Sequence, residues 1–140
     1  MTKESVSRKA QGGRVNEERI HMSLIDSTQL ALEAAMRGSM QRQSLLTNNL
    51  ANSDTPGYEP ADVDFQRQLQ AAIQDGQSPT QITFQPAVSP QTIQADGNGV
   101  SPEQTEANIA ENGLLYSELT QVAAAREQIL RTAMGMGGAA

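Results

Sequence analysis

Asn49-Leu50-Ala51-Asn52-Ser53-Asp54-Thr55-Pro56-Gly57-Tyr58 is the stretch that decides how this chain folds. Leu46 and Leu50 are four apart and share one helix face. Asn52, Ser53 and Asp54 are poor helix-interior residues, because their short polar side chains compete for the backbone. Thr55 precedes a proline, which pushes it out of the α region. Pro56 presets φ for the second position of a turn, and Gly57 supplies the positive φ that a type II turn needs at its third. The reading is a helix that ends near Asn52 and a turn at Thr55–Tyr58.

Working outward, residues 23–52 read as an N-terminal helix. Leu32, Met36, Leu46 and Leu50 fall on a seam with steps of 4, 3, 4, 3 and 4, whose two middle positions are the polar Ser39 and Gln43. Gly38 weakens this helix by roughly 1 kcal/mol relative to alanine. Residues 1–22 are polar and aperiodic and read as a disordered tail. Residues 53–100 hold five of the six prolines. They read as an irregular Pro/Gln-rich segment with a short helix over about 62–74 (Phe65, Leu69, Ile73) and weak strands at 81–84 and 92–94.

The C-terminal helix is placed at 101–134, with a flexible tail at 135–140. Ser101 suits the N-cap, Pro102 the first helical position, and Gln104 completes a capping-box spacing. Its apolar seam runs Leu115, Leu119, Val122, Arg126, Ile129, Ala133, which is heptad spacing. Ile109, Tyr116, Ala123 and Leu130 form a flanking ridge. The fold class is therefore mainly α: two terminal helices pairing as a coiled-coil-like hairpin around a small irregular middle. Periodicity alone leaves open whether the stripes close within one chain or pack between subunits.

The 140 residues suit one small domain. Only 3% are aromatic, so a large compact core is not expected, and burial must come from Leu, Ile, Val, Ala and Met. The net charge of −6 argues against nucleic acid. Residues 1–21 carry five basic and three acidic residues, a net +2, which leaves −8 for the remainder. The chain has no cysteine, hence no disulfide or thiolate chemistry. No apolar run approaches the roughly 20 residues that span a bilayer, and residues 1–21 lack the apolar core of a signal peptide. His21 is the single histidine and lies in the expected tail, so a Ser-His-Asp set is not expected and a His-rich metal site cannot be assembled. Asp96-x-Asn98 starts like a calcium loop, but Ala107 stands where the bidentate glutamate belongs. The expectation is no enzyme, no cofactor, no metal and no small-molecule substrate.

The spacing Asn-Leu-Ala-Asn-x-x-Thr-Pro-Gly-Tyr, carried here by Asn49, Leu50, Ala51, Asn52, Thr55, Pro56, Gly57 and Tyr58, resembles the N-terminal signature of the flagellar axial (rod and hook) proteins. The continuation Asp62-Val63-Asp64-Phe65 and the pair Glu111-Asn112 before Tyr116 resemble the proximal rod members in particular. The resemblance implies a structural subunit, exported unfolded by the flagellar type III apparatus without a cleaved signal, whose terminal helices become ordered on assembly. It implies neighbours among other rod subunits and at the base of the basal body, the MS ring and the rod-adaptor protein. It implies a place in the rod on the periplasmic side, and a rod that transmits torque. It also implies that Leu32, Met36, Leu46 and Leu50 pack on Leu115, Tyr116, Leu119, Val122, Ile129 and Leu130, within or between subunits. Residues 1–21 have no counterpart in that pattern, which points to Met22 as the start. Glu59-Pro60 departs from it where a basic residue is common. A soluble helical adaptor or export chaperone, binding partner helices through the same seam, is the alternative from a different class.

Overall fold

A helix-favouring run without a single proline before Pro56 sets the architecture. In the computed structural model, which describes residues 3–89 and 99–135, helix α1 runs unbroken over Lys3–Ala51. At 1.5 Å per residue it is roughly 73 Å long. For residues 3–22 this corrects the disordered tail expected for 1–22. Glu, Lys, Arg and Gln are good helix formers, and the pair Gly12-Gly13 does not stop propagation from the long helix behind it.

After α1 the chain forms a two-residue strand β1 (Ala61–Asp62), helix α2 (Phe65–Gln74), a 3₁₀ turn at Pro79–Gln81 and strand β2 (Ala87–Val88). It finishes with helix α3 (Pro102–Ala133). Strands β1 and β2 pair antiparallel, Ala61 opposite Val88. The short helix thus begins at Phe65 rather than 62, because Asp64 is its N-cap and accepts from the Arg67 amide at 3.1 Å. The expected strand at 81–84 is not formed: Pro79 sits inside a 3₁₀ turn, and the pairing falls instead at 61–62 and 87–88. The expected strand at 92–94 and most of the tail at 135–140 lie outside the described residues. Ser101 caps α3, its side chain accepting from the Gln104 amide at 3.4 Å, while the Gln104 side chain donates to Asn108.

Helices α1 and α3 are antiparallel. Ser39 meets Asn112, and ten residues earlier Gln29 shares a cleft with Thr120, Ala123 and Glu127. The face of α3 turned inward is Thr105, Ile109, Asn112, Tyr116, Leu119, Ala123, Arg126 and Leu130, all buried or half-buried. The flanking ridge of the sequence therefore faces α1. Val122 and Ile129 are 53% and 68% exposed, so neither packs on α1 within the chain. On α1, Leu46 is buried and Leu32, Met36 and Leu50 are half-buried.

The middle segment is less irregular than its composition suggests. Val63, Phe65 and Phe84 bury themselves against Ala34 and Ala35, with Leu115 and Leu119 of α3 packed on the cluster. The two phenyl rings meet edge to face, 6.1 Å between centroids. Phe65 lies directly on Gly38, where a Cβ would come within 2.5 Å of its ring. The glycine that weakens α1 locally is thus the notch that seats the middle segment. Polar contacts fix the same docking: Arg37 donates to Pro79 O at 2.9 Å and Gln41 to Phe84 O at 3.2 Å. Arg42 grips Asp62 with two nitrogens, at 3.0 and 3.2 Å. These two side chains are only 20% and 28% exposed. Arg42→Met is expected to destabilise the fold by about 1–3 kcal/mol, since it leaves Asp62 half-buried without its fork. Urea unfolding checks this, and an unchanged midpoint would show the pair to be decorative.

Candidate functional site

The decisive stretch has a two-part structure. Its first part is a clamp centred on Asn49, which is 1% exposed on the last turn of α1. Its amide nitrogen donates to Ala61 O at 2.8 Å, and its amide oxygen accepts from Ala61 N at 3.1 Å. The same oxygen accepts from the Tyr58 hydroxyl at 3.1 Å. The β2 side of this strand is served elsewhere, since Ser89 N donates to Pro60 O at 2.8 Å. The polar groups of Ala61 point to the opposite edge, and there the Asn49 amide takes both, as a third strand would. No aliphatic or acidic side chain offers a donor and an acceptor in that geometry. Aspartate in place of Asn49 would set a carboxylate oxygen against a carbonyl.

The second part is the turn. Gly57 has φ of 73° and the Tyr58 amide donates to Thr55 O at 3.2 Å, as a type II turn requires. The helix runs out through Asn52, whose side chain donates to Asn48 O at 2.8 Å and accepts from the Thr55 hydroxyl at 3.4 Å. Leu50 and Asn52 are half-buried; Ala51, Thr55, Pro56 and Gly57 are exposed at the tip. The motif thus combines an inward half that reverses the chain with an outward half that touches nothing at Gly57.

Of the residues expected to pack, Leu46, Leu50, Leu115, Tyr116, Leu119 and Leu130 are at least half-buried. Phe65, expected as part of the motif, is in the core at 2% exposure. Sequence reasoning missed the roles of three residues: Gly38 under Phe65, Arg42 on Asp62, and Asn112 between the helices. The signal for the last was present, because Ser39 and Gln43 interrupt the apolar seam of α1 and both bond to Asn112.

On the outer side, a groove of about 470 Å³ is lined by Ala35, Phe65, Leu69, Ile73, Leu115 and Leu119. Beyond the end of α2 the same ridge of α3 continues bare through Val122 and Ile129. Among the described residues no group of three His, Cys, Asp or Glu is placed to hold a metal ion, and no helix is long and apolar enough to cross a membrane.

Comparison with known proteins places the sequence in a family. Residues 30–58, which span the α1 seam and the whole turn motif, match the family described as "Flagella basal body rod protein". The chain is 30% identical to the flagellar basal body rod protein FlgB of Escherichia coli K12, over 66% of this chain and 84% of that one. It is also 30% identical to the FlgB of Bacillus subtilis 168, over 83% of this chain and 99% of that one. The FlgB of Salmonella typhimurium is 31% identical over 60% and 75%. A helix–turn motif, a clasped middle segment and two long terminal helices thus come together in a chain that belongs to the FlgB family of flagellar basal body rod proteins, structural subunits of the rod.

Proposed function

We propose that this chain works as a non-catalytic building block of the proximal rod, packing its terminal helices against those of neighbouring axial subunits. The observation that carries this reading is the bare ridge of α3. Leu115 and Leu119 begin a heptad seam inside the chain's own core, and Val122 and Ile129 continue it uncovered. Exposed apolar side chains at heptad spacing are a liability for an isolated protein and an asset for one that adds a neighbouring helix. Contacts between unlike faces of successive subunits would extend into an open assembly.

In this reading the end of the hairpin near the Asn49 clamp is folded in the single chain. The far end, where Val122 and Ile129 are bare, becomes ordered against neighbours. The exposed tip Thr55-Pro56-Gly57 would meet an adjacent subunit. Export by the flagellar type III apparatus without a cleaved signal, a position on the periplasmic side, contact with the MS ring and rod-adaptor protein at the base, and transmission of torque complete the proposal.

The test is a charge on the ridge. Val122→Glu and Ile129→Glu are expected to leave the isolated chain within about 0.5 kcal/mol of the parent, because both side chains are already exposed. Incorporation into basal bodies and swimming should be lost. Normal motility of the doubly substituted strain would remove the ridge from the interface.

A further inference from the structure

The seam between α1 and α3 poses a problem of register. Its apolar positions keep heptad spacing: Ile109, Tyr116, Ala123 and Leu130 recur every seven residues on α3, and Leu32 and Leu46 lie one heptad to either side of Ser39 on α1. Sliding α3 by one heptad, about 10 Å along the axis, would again lay apolar on apolar. Dispersion and burial have no direction and do not forbid such a slip.

We infer that Asn112 and Ser39, with Gln43, form a register lock that selects one antiparallel alignment of the terminal helices. Asn112 is 1% exposed and Ser39 fully buried. The Ser39 hydroxyl donates to Asn112 Oδ1 at 3.1 Å. The Asn112 amide nitrogen donates to Ser39 O at 3.0 Å and to Gln43 Oε1 at 2.9 Å. Both amide protons and the amide oxygen are therefore used, by partners 73 and 69 residues away in sequence. The lock works because of what lies one heptad to either side. A slip would move Asn112 from Ser39 to Leu32 or Leu46, neither of which can accept or donate, and would bury a bare amide. The middle segment supplies less direction here. Its hydrogen bonds described above run to α1, and it meets α3 through the apolar Leu115 and Leu119. A buried asparagine that fixes alignment at some cost in stability is a known device of helical pairs.

The chain has no cysteine, so spin labels can be placed at two chosen sites. Thr47 and Ser117 are exposed on the two helices and well separated along the axis. In the labelled full-length protein, pulsed electron paramagnetic resonance should give one distance. In the Ser39→Ala, Asn112→Leu double variant, helicity should be kept and the melting temperature should be equal or higher. The distance distribution should gain a second population shifted by about 10 Å. Asn112→Asp, which keeps the acceptor for Ser39 but loses the amide donor, should broaden the distribution less. A single unshifted distance in the double variant would overturn the inference. So would loss of helicity, because replacing both partners by apolar groups removes the register cost without removing burial.

Discussion

Asn49→Ala is expected to release the middle segment from α1 at a cost of about 2–4 kcal/mol, taking roughly 1 kcal/mol or more for each buried group left without a partner. Three groups lose one: the amide and carbonyl of Ala61 and the Tyr58 hydroxyl. The side chain is 1% exposed, so water does not readily replace it. The measurement is amide hydrogen exchange. Protection of Ala61 should fall by two orders of magnitude or more, while protection in the centre of α3 should change much less. Asn49→Asp should be nearly as damaging, since it keeps the acceptor and loses the donor to Ala61 O. Tyr58→Phe removes only one of the three bonds and should cost about 1 kcal/mol. Unchanged exchange at Ala61 in Asn49→Ala would show that the strand holds itself.

Gly38→Ala is expected to destabilise the chain by about 1–3 kcal/mol, although alanine is the better helix former by roughly 1 kcal/mol. The sign is set by the Phe65 ring, which an added Cβ would meet at 2.5–2.6 Å. Real Cβ atoms do not approach carbon so closely, so Phe65 must move, and with it the contact to Phe84. Larger residues at 38 should undock the middle segment. The double variant Gly38→Ala, Phe65→Leu should be less destabilised than the sum of its parts, because the smaller side chain relieves the clash. Thermal unfolding of the four proteins closes the cycle. A stabilised Gly38→Ala would mean that helix propensity outweighs the notch.

These two residues also mark the boundary of what the sequence reveals. Local rules carried the ends of the elements: Pro56 and Gly57 for the turn, and Ser101 with Pro102 for the start of α3, are governed by neighbours within three or four residues. The partner of Asn49 is twelve residues away, beyond a turn whose exit direction sets the meeting, and no local rule names it. Gly38 reads as a weakness until Phe65 is seen lying on it. The α3 stripes show a different limit. Leu115–Ile129 and Ile109–Leu130 are both heptad-spaced, and periodicity cannot tell which faces α1. The structure turns the second inward, where Asn112 completes it. It leaves Val122 and Ile129 outside, so those two residues do not pack on α1 within the chain. Residues 3–22 misled for the opposite reason. Their polarity was read as disorder, while their individual residues favour continuation of the helix that follows.

As a member of the FlgB family, this chain is a structural part of the flagellar rod. The most direct measurement is electron microscopy of basal bodies from a strain lacking this gene, together with a swimming assay and complementation by the wild-type gene. Basal bodies without rods or hooks and a non-motile strain are expected, both restored by the wild-type gene. Complete rods and normal swimming in the deletion strain would contradict it.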